Sequence, residues 1–557
     1  MSAATSSTPD LCGYRQPDKS RHHLDGSYTF KLTPEKTHVV SLTIPAKVSG
    51  PLGEGTWTMV YDEGFFVEIK GDIKYEFFAF HSYERKNPDV SLSNIKPENY
   101  ISHCDKTLVG WYKAGDKFGC WQGVQVKKAY PNVVITPKAG TKAENTEPVL
   151  SPVERGVSFL EMPFDPDYEM IERVNSDPNS LWRAQVYHEF LGKTNAEMLQ
   201  LAGALKYAKP ERPHAVASSP VTEEEAAHYA SFLTVDETID EPATPTSFIQ
   251  IDGKIDGQLS FLSASKSSGE SETDIDDSFE FEVESESEGQ SDSDADDAES
   301  SESDSKELKD PRDAKTCEYG LPCELDWRSR FGKNWLPKVR NQGRCGSCYI
   351  MALMTVLESR RRIKKRTLNL KPYSPQHVLS CSVYNQGCDG GFPFLVGKHI
   401  EHFGIVKDEC MPYQARDAIC QPQCPAANEF PISNTRYVGG FYGNNSEEAM
   451  MRELMNGPIT VAFESPRELF SYRGGIFQGP YPRTENQGVK GVRDWAHTNH
   501  AVVAVGWGHT RRNGKRIKYW IMRNSWGKHW GENGYFRILR GTDECGVEGM
   551  SVSLDIL

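Results

Sequence analysis

Gln342-Gly-Arg-Cys-Gly-Ser-Cys348-Tyr349 is the stretch on which the reading of this chain turns. After it, Met351-Ala-Leu-Met-Thr-Val-Leu-Glu-Ser-Arg-Arg-Arg-Ile363 has a helical pattern, so Cys348 is expected to open a helix over 348–363. A thiol is a poor nucleophile at its free pKa, and a helix N-terminus and a nearby imidazolium both favour the thiolate. The helix supplies the first. The second needs a histidine delivered by the fold, and His500 stands in Asn499-His-Ala-Val-Val-Ala-Val505, at a polar step into a strand. A third group must hold the imidazole in one tautomer. Asn524, in Arg523-Asn-Ser-Trp-Gly527 after the strand-like Tyr519-Trp-Ile-Met522, suits that role, with Trp526 available to shield the His–Asn bond from water. Acyl transfer also needs oxyanion donors. The backbone N–H of Cys348 and the side-chain amide of Gln342, six residues upstream, are the candidates.

Each residue alone has an ordinary explanation. A lone cysteine is usually a core or disulfide residue, a histidine before a strand is usually structural, and Asn524 would suit a turn. Cys345-Gly-Ser-Cys348 also has the spacing of half a zinc knuckle or a redox pair. The conjunction decides: the Gln342–Tyr349 stretch, His500 152 residues beyond Cys348, and Asn524 a further 24 on.

Outward from this stretch, 557 residues are too many for one ordinary core and suggest three or four units of ~150 residues. No run of ~18 apolar residues is present, so no transmembrane helix is expected. Met1-Ser-Ala-Ala-Thr-Ser-Ser-Thr-Pro lacks the apolar core of a secretory signal, which leaves a leader absent from this sequence, a misplaced start or a cytosolic protein, the last disfavoured by the cysteines. The net charge of −15 comes from one place: residues 270–305 hold 17 acidic and no basic residues. Elsewhere 63 basic residues face 61 acidic ones, so charge makes no case for a nucleic-acid or membrane partner. Of 13 cysteines, nine lie between Cys317 and Cys424. That suits a secreted or lysosomal enzyme with several bridges and one working thiol.

The organisation is that of an α+β protein with an N-terminal all-β part. Val39–Ile44, Thr56–Tyr61, Phe65–Lys70 and Glu76–Phe80 are short β-branched or aromatic runs punctuated by Gly, Pro and Asp, and suggest a small barrel. Thr194-Asn-Ala-Glu197 reads as the start of a helix running to Lys206. Residues 207–245 read as linker, and 263–305 as a low-complexity acidic tract too polar to build a core. The chain is globular again from Cys317 to Leu557, with a helix first and strands later.

These residues resemble the papain family of cysteine peptidases, whose signature is C-G-[SA]-C-[WY] with a distant His and Asn. The match is recognition of a family pattern and is not something spacing alone yields. Tyr349 after the nucleophile, Gly387-Cys-Asp-Gly-Gly-Phe-Pro393, Tyr437-Val-Gly-Gly-Phe-Tyr-Gly443 and Arg540-Gly-Thr-Asp-Glu-Cys545 resemble that family's dipeptidyl-peptidase branch. Cys12-Gly-Tyr14, Tyr61-Asp-Glu-Gly-Phe65 and Thr107-Leu-Val-Gly-Trp111 resemble the branch's exclusion domain, and 175–206 resemble its propeptide.

The resemblance implies an exclusion domain over 1–135, a propeptide over 136–210, a linker with the acidic insert over 211–316 and a two-lobed papain-like peptidase domain over 317–557. It implies catalysis by Cys348, His500, Asn524 and Gln342 on dipeptides at free N-termini, after cleavage by an activating protease. Asp10 would hold the substrate ammonium, and Gly390 and Gly391 would let the substrate backbone lie close. Chloride is the implied cofactor, bound by Tyr437 and the backbone of Phe394 with Phe392 and Tyr61 nearby; no metal or organic cofactor is implied. The implied bridges are Cys12–Cys104, Cys345–Cys388, Cys381–Cys420 and Cys410–Cys424, leaving Cys120 without its family partner. A lysosomal, other acidic secretory-pathway or secreted location and a homo-oligomer, a tetramer in that branch, follow from the same likeness. The alternative is an endopeptidase whose exclusion domain has been released, and a catalytically dead scaffold is disfavoured because Cys, His and Asn are all present.

Overall fold

Aromatic and β-branched runs in the first part of the chain build one antiparallel sheet, as their pattern predicts. The computed structural model describes residues 12, 32, 36–43, 46–60, 64–85, 100–125, 162–202, 310–422, 424, 428–479 and 498–557. These lie in one compact unit, Met1–Val126, Lys138–Thr238 and Lys309–Leu557, while a second unit, Lys127–Pro137 and Ile239–Leu308, lies outside them. The acidic insert therefore falls outside the described residues, and of the 211–316 linker only 310–316 are described, where Asp310 caps a 3-10 turn over Pro311–Ala314.

The N-terminal strands are β1 (Ser41–Thr43), β2 (Lys47–Gly50), β3 (Gly53–Val60), β4 (Gly64–Lys70), β5 (Lys74–Arg85), β6 (Tyr100–Thr107), β7 (Gly110–Ala114) and β8 (Lys117–Trp121). They pair in the order β1-β2-β3-β4-β5-β7-β8, with β6 also on β5. Strand β5 is long enough to carry β7 along Tyr75–Phe78 and β6 along His81–Arg85. Among the described residues no ladder returns from β8 to β1, so the all-β part appears here as an open sheet. Side chains alternate between faces. Phe66, Phe78, Trp111 and Phe118 join the main core, while their neighbours Val67, Phe77 and Tyr112 form a smaller cluster behind the sheet. Both faces are covered, which explains why these strands are apolar runs and not strict alternations.

One disulfide differs from the expected set. Cys12 pairs with Cys120, not with Cys104. Cys120 sits on β8 opposite Trp111, and both it and Cys12 are buried in the main core. Cys104 falls in the register break of the β5–β6 ladder, between His103 and Thr107. The pairing partner was set by strand register, which sequence likeness does not report.

Next come α1 (Tyr168–Ser176), β9 (Trp182–Ala184) and α2 (Asn195–Leu201). Thr194 caps α2 in a full capping box with Glu197, as the Thr-x-x-Glu spacing predicts; residues after Ala202 lie outside the description. The C-terminal part contains β10 (Leu325–Asp326), α3 (Cys348–Lys365), α4 (Pro375–Cys381), α5 (Pro393–Phe403), β11 (Ile432–Tyr437), α6 (Glu447–Leu454), β12 (Ile459–Phe463), β13 (Tyr472–Phe477), β14 (His500–Arg512), β15 (Lys515–Arg523), β16 (Tyr535–Leu539) and β17 (Met550–Ile556). Helix α3 is buried from Cys348 to Arg360, hence its lack of a polar face there. Basic side chains fill its last turn, where the helix dipole favours them. The second sheet runs β11-β17-β12-β14-β15-β16-β13-β9, with β10 on β14. Helices on one side and a mostly antiparallel sheet on the other give the expected α+β, two-lobed arrangement.

Candidate active site

Cys348 occupies the first position of α3, and its thiol receives backbone N–H groups of Cys348, Tyr349 and Ala501. His500 begins β14 and Asn524 immediately follows β15, its neighbour in the sheet. The sheet therefore brings together two residues that are far from Cys348 in sequence. His500 Nε2 donates to Asn524 Oδ1 at 2.8 Å, and the same oxygen accepts the Ser525 N–H at 2.8 Å. A neutral imidazole that donates through Nε2 keeps its lone pair on Nδ1. Trp526 stacks on His500 with ring centroids 5.0 Å apart, and Phe470 and Trp530 pack on Trp526 in turn.

Gln342 is fully buried. Its Nε2 donates to the Cys345 carbonyl at 2.9 Å, its Oε1 accepts from Ser525 Oγ at 2.6 Å, and its backbone N–H bonds to Ser525 O. An amide has two N–H donors, so one is left for an oxyanion. Tyr413, which no local pattern singles out, donates to the Gln342 carbonyl at 2.8 Å and meets Ser347 Oγ at 2.6 Å. Ser525 and Tyr413 are thus supporting residues that sequence reasoning missed. Only tertiary folding brings Tyr413 to this loop.

The Cys345–Cys388 disulfide and the Gly346 N–H to Cys388 O bond tie the loop before Cys348 to the segment carrying Gly390 and Gly391. The Tyr349 hydroxyl donates to Gly387 O at 3.0 Å. Both glycines have local causes: Gly390 has φ +129°, and a Cβ on Gly391 would lie 2.6 Å from the Tyr349 ring. Cys381–Cys420, Cys410–Cys424 and Cys317–Cys323 complete the bridges. Tyr437 and Phe394 stack with centroids 4.9 Å apart and are buried beside Phe392. Asp10 and Tyr61 lie outside the described residues.

The end of α2 covers this site. Trp526 Nε1 donates to Leu201 O at 2.9 Å, Glu197 pairs with Arg344 at 3.2 Å, and Phe190 meets the edge of Trp526. Upstream, β9 pairs with β13, and the Tyr187 hydroxyl donates to Tyr472 O and accepts from the Gly531 N–H, both at 2.7 Å. Burial under this cover pushes the Cys348 thiol up to about 12, despite the backbone N–H groups aimed at it. Burial also drives His500 down to about 4, against the opposing pull of Asn524 and the Ala202 carbonyl. Both members of the pair are neutral in the covered chain.

A family profile described as papain family cysteine protease matches residues 321–554, and one described as cathepsin C exclusion domain matches residues 4–125. Cathepsin C of Schistosoma mansoni is 41% identical over 42% of this chain and 52% of its own length. Dipeptidyl aminopeptidase 1 of Plasmodium falciparum is 32% identical over 42% of this chain and 44% of its own length. Cathepsin B-like CP3 of Giardia intestinalis is 33% identical, with 41% of this chain covering 72% of that protein. The first two of these curated relatives are matched over only about half their length. With Cys348 at a helix start and the His500–Asn524 imidazole–amide pair in the sheet, the chain belongs to the papain family of cysteine proteases. Within that family its N-terminal sheet carries the match to the exclusion domain of cathepsin C.

Proposed function

We propose that this protein is a cysteine exopeptidase that removes dipeptides from free N-termini through a thiol acyl-enzyme, and that it is made as a precursor activated by proteolysis. One observation carries the reading. The exclusion-domain sheet packs on α5, the helix that follows directly from the Gly387–Gly391 segment disulfide-linked to the nucleophile's loop. A domain at that position can end the substrate groove.

When the 162–202 segment is removed, water reaches Cys348 and His500 and the desolvation that holds both neutral is relieved. The thiol proton then passes to His500 Nδ1, and the thiolate is supported by the start of α3. The sulfur attacks the carbonyl carbon of the substrate's second residue. Its oxygen gains negative charge beside the Cys348 N–H and Gln342 Nε2. His500 gives its proton to the leaving amine nitrogen as the C–N bond breaks. Water, deprotonated by His500, attacks the thioester and releases the dipeptide and the thiol. Asn524 and Trp526 hold the imidazole throughout, and Gly390 and Gly391 line the approach of the substrate backbone.

Asp10 is the proposed partner of the substrate ammonium, a charge-assisted contact worth ~1.5–3 kcal/mol. Chloride fits the buried Tyr437 and Phe394 pair. A phenol and a first-turn backbone N–H of α5 are donors, and no side chain caps that helix. Bound there, chloride would supply a fixed negative charge behind the pocket wall. The five disulfides among the described residues suit an oxidising compartment, and a lysosomal or secreted location is proposed on that basis. No helix of the described residues is long and apolar enough to cross a membrane. Homo-oligomerisation and an external activating protease are proposed from the family alone. In matured enzyme, Asp10→Ala should lower kcat/KM on free dipeptidyl substrates by about tenfold to a hundredfold. An unchanged value would assign the ammonium to another carboxylate.

A further inference from the structure

Glu76 on β5 is an almost fully buried carboxylate that the proposed reaction does not use. Its partners are on the other part of the molecule. One oxygen meets the Lys398 ammonium at 3.2 Å and the other accepts from His402 Nε2 at 2.8 Å, both residues of α5. His402 Nδ1 in turn accepts from the Tyr384 hydroxyl at 2.8 Å, which fixes the neutral tautomer that donates to Glu76. Lys398 also binds Glu401 at 2.9 Å, and Glu401 receives the Thr435 N–H. Lys74 closes the outer side of the cluster by pairing with Glu76 and Glu68. One candidate ligand atom from each of Glu76, Glu401 and His402 lies within 4.8 Å of the others, a spacing a metal ion could use. The Lys398 ammonium supplies the cation there, so the cluster needs no ion.

Aromatic rings surround it. Trp111 stacks on Tyr384 at 4.4 Å and meets His402 edge-on, Phe118 stacks on Phe403, and Phe66 meets Phe394 edge-on. Such contacts attract but do not fix position, because apolar burial is non-directional. A carboxylate that gives each oxygen to a different partner does fix it. Burial works against the charge on Glu76, yet Lys398 and His402 hold its carboxyl well below the usual range, so it stays ionised in an acidic compartment. Removing the carboxylate while the sheet stays docked would leave the buried Lys398 with Glu401 alone and His402 Nε2 without its acceptor, a loss of the kind that destabilises a buried ionic cluster. Among the described residues no disulfide joins the sheet to the C-terminal part, so the contacts described between them are non-covalent.

We propose that Glu76 is the positioning residue that pins the exclusion sheet to α5, and that its contacts with Lys398 and His402 thereby set where the substrate groove ends. The inference rests on the dipeptidyl-peptidase reading above. It makes the choice between dipeptide release and internal cleavage depend on one buried ionic contact about which the rest of the interface is arranged.

The test uses matured full-length enzyme and paired peptides, one with a free N-terminus and its acetylated twin. Glu76→Leu should raise the acetylated-to-free ratio of kcat/KM by at least about tenfold, and its sheet fragment should separate from the catalytic fragment on gel filtration. Glu76→Gln, which keeps the shape and one acceptor, should show a smaller rise and is the variant to read if Glu76→Leu does not fold. Alkylation of Cys348 by a small thiol reagent should be unchanged in both, which excludes damage to the site. A wild-type ratio with fragments that stay together in either folded variant overturns the proposal. If the wild type itself cuts the acetylated peptide as readily as the free one, the dipeptidyl reading fails, and gel filtration alone then judges Glu76.

Discussion

Cys348 and His500 are both held neutral by burial, so the covered chain holds a dormant pair and not an ion pair. With the thiol pushed up to about 12, very little thiolate exists near neutral pH. Alkylation of the precursor by iodoacetamide should therefore be slow at pH 7 and rise only in strongly alkaline buffer, while matured enzyme should react quickly at pH 7. Equal rates before and after maturation would show that α2 does not control the thiol. In matured enzyme, Cys348→Ser should abolish turnover with the fold intact, since a serine hydroxyl is far less acidic than a thiol. Activity within about tenfold of wild type would remove Cys348 as nucleophile. His500→Ala should cost more than Asn524→Ala, because Asn524 orients the base through its 2.8 Å bond and does not carry the proton.

The cover is itself held by a short helix, and short helices depend on their caps. Thr194 receives the Glu197 N–H, and Glu197 returns a bond to the Thr194 N–H at 2.9 Å. Thr194→Ala removes about 1 kcal/mol from α2, which should raise the precursor's alkylation rate about fivefold. A rate equal to wild type would mean that β9 and Tyr187 suffice to hold the segment. The cap is legible in the sequence because its signal is local: Thr-x-x-Glu followed by Met198, Leu199, Ala202 and Leu205 at helical spacing. The same holds for Cys348 at the start of a helix and for the Phe65–Lys70 and Glu76–Phe80 strands. What was not readable depends on register and on packing between distant segments. Cys12 finds Cys120 because β8 faces the shared core, and the family pattern pointed instead to Cys104. No local pattern singles out Glu76, and only the docking of its strand on α5 supplies Lys398 and His402. Tyr413 and Ser525 reach Gln342 for the same reason.

Across the molecule, burial leaves several histidines uncharged. His377 is driven down to about 4 and His399, with no partner on either ring nitrogen, well below its usual value. A histidine whose folded pKa is depressed binds its proton more readily when unfolded. Stability is therefore full above about pH 6.5 and falls as pH drops from there toward about 4, by up to about 1.4 kcal/mol per pH unit for each such group. The paired carboxylates Glu76 and Glu401, whose pKa values are lowered, lose stability only as pH falls below the usual carboxylate range, outside most of this window. His399→Leu should raise the precursor's Tm more at pH 5 than at pH 7, and an equal or smaller gain at pH 5 would contradict the assignment. In the proposed reaction a second domain across the groove turns a papain-type site into a measuring device. The most direct test is mass spectrometry of the products that matured wild-type enzyme releases from a free decapeptide and from the same peptide acetylated. The account predicts successive dipeptides from the free peptide and an intact acetylated one; internal fragments from both, formed at similar rates, would contradict it.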